Sequence, residues 1–144
     1  MGYLSTFAIS ASGMDVEKTR VDITALNLAN IHSTQSAEGG PYRPMRVVSS
    51  EQLNTFEINL DRQASALGGT QLVSVSKLDT PPHLVFEPSH PDADPKGYVH
   101  YPGIDLSSEM INLVTALRAY EANLVALNAA KAMAQKALEI GGQV

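Results

Sequence analysis

The chain has 144 residues, a formal net charge of −5, and neither cysteine nor tryptophan. The acidic balance provides no electrostatic basis for holding nucleic acid, and the missing thiols exclude disulfides and thiolate chemistry. No run of about 18 apolar residues occurs, so no transmembrane segment is expected.

The stretch from Met1 to Asp15 lacks the basic region and compact apolar block of a cleaved signal peptide. Ser5 or Thr6 can cap a first helix that reaches about Asn30. In it Phe7, Met14, Val21 and Leu28 fall seven apart, and Leu4, Ala11, Lys18 and Ala25 form a companion row. Ser10, Ala11, Ser12 and Gly13 make this helix weak on its own, since Gly costs ~1 kcal/mol relative to Ala. The same small side chains suit it to close approach by another backbone. Lys18 either restricts register or lays its stem along the seam with its head in water.

From Ser33 the texture changes, and Gly39-Gly40-Pro41 with Pro44 ends the helical period. Short alternating runs predict strands at 45–48, 55–60, 72–77, 84–86 and 98–101. Pro81-Pro82, Pro88, Pro91 and Pro95 stiffen the connections between them. Tyr42, Arg43 and Arg46 form a small basic, aromatic spot, which reads as a solvated loop face.

The last stretch, 105–140, carries the strongest pattern. Met110, Leu113, Leu117, Tyr120, Leu124, Leu127, Ala134 and Leu138 recur at steps of three and four, with Lys131 the one polar interruption. Sustained over about four heptads, this predicts a coiled-coil helix on the order of 50 Å long. Asp105 or Ser107 can cap it and Gly141-Gly142 ends it. Glu109 and Gln135 lie off the seam, where charge changes should matter little.

The expected fold is α+β. Long N- and C-terminal heptad helices, residues 1–35 and 103–144, pair antiparallel as a coiled coil, and a small β-rich domain, residues 36–102, is inserted between them. The N-terminal helix is too poor in large side chains to cover the C-terminal stripe. Neighbouring chains are therefore expected to bury the remainder, with folding coupled to assembly.

The densest polar cluster is His90-Pro91-Asp92-Ala93-Asp94, with His83 and His100 nearby. Histidine with two carboxylates could ligate a metal, but Pro-Asp-x-Asp-Pro-Lys-Gly is ordinary turn chemistry in which Asp satisfies its own backbone. No nucleophile elbow or phosphate-cradling glycine pattern is present. No catalytic residue, metal site or cofactor is expected.

Three groups of residues carry a resemblance. Leu26-Asn27-Leu28-Ala29-Asn30, Ser33-Thr34 and Gly39-Gly40-Pro41-Tyr42-Arg43 together resemble the N-terminal signature of flagellar rod and hook axial proteins. Phe86-Glu87-Pro88, His90-Pro91-Asp92-Ala93, Gly97-Tyr98-Val99 and Tyr101-Pro102 are similar to the C-type, proximal-rod branch of that family. Arg118-Ala119-Tyr120-Glu121-Ala122-Asn123 with Ala130-Lys131-Ala132-Met133-Ala134 looks like its C-terminal helix. Only about 50–69 lies outside the match. Ser33 stands where the family motif Ala-Asn-x-x-Thr carries Thr, and the hydroxyl is kept.

The resemblance implies a structural, non-enzymatic subunit of the basal-body proximal rod, polymerising into the drive shaft that transmits torque and encloses the export channel. It implies a place in the rod crossing the periplasm, reached through the flagellar type III export apparatus without a cleaved signal peptide. The implied partners are copies of itself, other rod proteins, the adaptor at the inner-membrane ring and the export apparatus. The heptad rows and the N-terminal motif together supply the expected assembly interface: Phe7, Met14, Val21, Leu28, Asn30, Met110, Leu113, Leu117, Tyr120, Leu124, Leu127 and Leu138. Two other classes compete with this reading. One is a soluble coiled-coil adaptor that never polymerises, and the other a metal-dependent hydrolase built on the His90–Asp92 turn.

Overall fold

The computed structural model describes residues 3–51 and 68–141. In chain order the elements are α1 (Tyr3–Ala29), β1 (Met45–Glu51), β2 (Thr70–Lys77), β3 (His83–Phe86), β4 (Tyr98–Tyr101) and α2 (Leu106–Gly141). The class is α+β. The strand expected at 55–60 lies outside the described residues. β1 pairs with β2, and β3 with β4 antiparallel in the register His83↔Tyr101, Val85↔Val99. By internal contacts the chain forms two compact units, each built from part of both helices.

The first unit draws on the described residues within Met1–Thr19, Val48–Ser74 and Thr115–Val144. Among the described residues its buried side chains are small or medium: Ser10, Val16, Ala116 and Ala130. Gly13 shows why small residues were needed, since a Cβ there would lie 2.9 Å from the amide of Asn123 on α2. Asn123 is itself turned back onto its own helix, its Nδ2 donating to Ala119 O at 2.9 Å. The Ser12 hydroxyl donates to Ile9 O at 2.8 Å and accepts the Thr70 N–H at 3.1 Å, tying the start of β2 to α1. Every residue of β2 is exposed.

The second unit comprises Arg20–Val47 and Val75–Val114. Its centre is polar. Asn27, 2% exposed, donates through Nδ2 to Met45 O at 2.9 Å and to Glu109 Oε2 at 3.2 Å, while its Oδ1 accepts Met45 N–H at 2.9 Å and the Tyr42 hydroxyl at 3.0 Å. Both donors and both acceptor sites of one amide are thus filled, which removes the penalty of burying it. Burial, and secondarily the Glu109 charge, push the Tyr42 hydroxyl above its ordinary pKa. Val47 of β1, Val99 of β4 and Pro102 are buried apolar side chains of the same unit.

Local chemistry sets the ends of the elements. Asp105 caps α2: its Oδ2 accepts the Ser108 N–H at 2.9 Å and also takes the Ser108 hydroxyl. These bonds to Ser108 hold the Asp105 carboxyl below its usual pKa. Between β3 and β4, Asp94 accepts the N–H groups of Lys96 at 2.8 Å and Tyr98 at 2.9 Å. The bond from Tyr98, with that from Lys96, lowers its pKa. Gly97 sits at φ +83°, where a Cβ would also lie 2.9 Å from Phe86 Cε2. Phe86 and Tyr98 meet edge to face at 5.3 Å.

Candidate assembly surface

The expected interface residues fall into two classes in the single chain. On α1, Phe7, Met14, Val21 and Leu28 are half-buried, as is Asn30 just past its end. On α2, Leu113, Tyr120 and Leu127 are half-buried, whereas Met110 is 47% exposed, Leu117 43%, Leu124 42% and Leu138 76%. The inward stripe of α2 therefore pairs the 113/120/127/134 row with Glu109, Ala116, Asn123 and Ala130, one position back from the 110/117/124 row. Alanines can sit where another element approaches closely; leucines of the neighbouring row cannot, and they face outward. Lys18 and Lys131 are both exposed.

Asn30 is committed locally. Its Nδ2 donates to Leu26 O at 2.8 Å and its Oδ1 accepts the Ser33 hydroxyl at 3.1 Å, so it ends α1 and starts the following loop. Glu109, read from the sequence as off the seam and of little consequence, is instead an acceptor for the buried Asn27.

The acidic turn proves to be a fastener. Asp92 Oδ2 accepts the Thr34 hydroxyl and Oδ1 accepts Gln35 Nε2, each at 2.7 Å. Its own N–H donates to His90 Nδ1 at 3.1 Å. That bond makes Nδ1 an acceptor, so the 3.9 Å approach of Nδ1 to Asp92 Oδ2 is not an ion pair of the usual kind. With both carboxylate oxygens and Nδ1 engaged inside the unit, a hydrolytic metal would first have to displace those partners. Among the described residues no group of three His, Cys, Asp or Glu side chains is placed to hold a metal ion. No helix among them is long and apolar enough to cross a membrane.

Comparison with known proteins bears on the whole length of this architecture. The chain is 38% identical over 141 residues to the flagellar basal-body rod protein FlgC of Escherichia coli O6:H1, covering 98% of this chain and 99% of that protein. It is 33% identical over 149 residues to FlgC of Borreliella burgdorferi, covering 97% and 98%. Against FlgC of Bacillus subtilis the identity is 38% over 141 residues, covering 92% and 94%. The chain belongs to the FlgC family of flagellar basal-body rod proteins.

Residues 96–140 also match the family described as flagellar basal body rod FlgEFG protein C-terminal. In this FlgC-family chain that segment contains β4 and nearly all of α2, and so both the inward alanine row and the outward leucine row. The N-terminal motif holds a residue whose role the sequence pattern did not reveal. Within Leu26-Asn27-Leu28-Ala29-Asn30, Asn27 is the buried centre of the second unit, yet the expected interface named only Leu28 and Asn30. The available signal was an amide set between two leucines, three positions ahead of the second amide of the motif.

Proposed function

We propose that this FlgC-family chain is a structural subunit of the proximal rod of the flagellar basal body, polymerising with copies of itself and with other rod proteins into the shaft that transmits torque and encloses the export channel. The observation that carries the proposal is end-to-end identity of 33–38% to proteins named as FlgC basal-body rod proteins. It acts by assembly and not by catalysis. Its other partners are the adaptor at the inner-membrane ring and the flagellar type III export apparatus, which delivers it without a cleaved signal peptide to the rod crossing the periplasm.

Within that reading the two terminal helices pair antiparallel, residues 1–35 with 103–144, and 36–102 form the inserted β-rich part. Two contacts support the direction of pairing. Gly13 abuts Asn123, and Asn27 meets Glu109, so fourteen positions forward on α1 correspond to fourteen back on α2. The outward row Met110, Leu117, Leu124 and Leu138, unburied in the single chain, is the part of the expected interface left for neighbours in the rod.

The test is placement. A labelled copy of the chain in isolated basal bodies should locate to the proximal rod and restore motility to a strain lacking its own copy. Motility restored without label in the rod would overturn the proposal.

A further inference from the structure

The second unit carries a groove of about 680 Å³ that nothing so far has used. Its lining includes apolar Ile31, Val85 and Ile104, the rings of Tyr101, His32 and His83, and the Glu87 carboxylate; Asp105, also at the groove, is engaged in the α2 cap. Tyr101 is set in place by three contacts. Its hydroxyl donates to Glu87 Oε2 at 3.1 Å, and its ring meets His32 at 6.1 Å and His90 at 6.4 Å, both edge to face. One bond leaves a carboxylate with acceptor capacity to spare.

Apolar side chains, aromatic rings and a carboxylate with a free acceptor position match one kind of side chain. An arginine lays its aliphatic stem on apolar surface, its guanidinium plane on a ring, and its fork on a carboxylate. The chain itself presents such a group. Arg43 and Arg46 lie exposed on the approach to and the start of β1. Arg46 takes no ion-pair partner among the described residues. In a chain of net charge −5, copies repel one another unless a contact sets the basic spot against an acidic surface.

We propose that this groove receives the Arg43–Arg46 edge of a second copy of the chain. The inference rests on the polymerising-subunit reading above and names one of its contacts. Groove and arginine edge are different surfaces, so the contact is heterologous: each copy gives an edge and offers a groove, and the contact propagates instead of closing into a dimer.

Charge reversal tests this, because a heterologous contact can be rebuilt from two defective chains. Glu87→Arg reverses the groove, and Arg43→Glu with Arg46→Glu reverses the edge. Each full-length variant, checked for parental circular dichroism, should raise the concentration needed for sedimentable polymer by about tenfold or more. A one-to-one mixture of the two should return it to near the parental value, since reversed grooves then meet reversed edges. Parental polymerisation by either variant, or a mixture no better than its parts, overturns the proposal and leaves the rod reading standing. If Glu87→Arg alone is defective, the groove's occupant is another protein and the proposal of a second copy fails. A parent chain that neither polymerises nor enters basal bodies would instead sink the rod reading itself.

Discussion

Asn27 Nδ2 donates to Glu109 Oε2 across 3.2 Å, joining a residue near the end of α1 to one in the first turn of α2, 82 positions further along the chain. The same amide holds both backbone polar groups of Met45, so the loss of one side chain unsatisfies several part-buried groups at once. Asn27→Leu should destabilise the chain by about 2–4 kcal/mol, because four bonds are lost and the partners regain water only in part. Glu109→Gln retains an acceptor and should cost under about 1 kcal/mol. Urea unfolding followed by circular dichroism measures both. An Asn27→Leu midpoint equal to the parent's would show that this network contributes nothing.

Two glycines with nearly the same backbone separate strain from crowding. Gly39 has φ +84° with open space around it, and Gly97 has φ +83° with Phe86 and Pro88 against it. Gly39→Ala should cost about 1 kcal/mol from the left-handed backbone alone. Gly97→Ala should cost roughly 1–3 kcal/mol more, because the Phe86 ring must move and the Phe86–Tyr98 contact with it. Equal midpoints for the two variants would mean that the ring yields freely.

Acid should act through Asp94 and Asp105. Hydrogen bonds from Tyr98 and Lys96, and from Ser108, hold their folded pKa values below those of the unfolded chain. Such a group contributes stability that is complete above the unfolded carboxylate value of about 3.9 and is lost as pH falls through the folded value. Stability should therefore hold from pH 7 to about 5 with respect to these groups and fall below about 4. Asp94→Asn with Asp105→Asn should lower the urea midpoint at pH 7 and flatten its decline towards pH 3. An acid limb unchanged in that double variant would assign acid sensitivity to other carboxylates.

Periodicity and turn chemistry made the outline legible. The Tyr98–Tyr101 strand, the Asp105 cap and the long C-terminal helix follow from local rules, and the observed elements fall on them. Which stripe of α2 faces inward did not follow, because hydropathy ranks Leu117 and Leu124 above Ala116 and Ala130. Close approach at Gly13 reverses that ranking: proximity favours the small side chain, and nothing in one helix's sequence records the distance to another element. Asn27 and Asp92 were opaque for a related reason. Their partners Met45, Glu109, Thr34 and Gln35 stand 18, 82, 58 and 57 positions away, beyond any local pattern. Asp92 read correctly as a turn residue but gave no sign that it fastens the loop after α1.

The two stripes of α2 should be separable by the same substitution placed one position apart. Ala116 and Ala130 are 0% and 1% exposed, so an aspartate at either position puts an unpaired carboxylate and extra volume into a closed space. That should cost several kcal/mol and unfold the isolated chain. Leu117 and Leu124 are 43% and 42% exposed. There the aspartate keeps its water, and the free chain should lose no more than about 1 kcal/mol from helix propensity and partial burial. In the proposed rod those same positions are covered by neighbours, and the desolvation penalty returns in full. Leu117→Asp and Leu124→Asp should therefore keep the parental circular dichroism and melting profile while failing to enter basal bodies. Ala116→Asp should fail both measurements. If Leu124→Asp assembled and supported motility, its row would be a solvent face in the rod, and the contact between subunits would have to lie elsewhere.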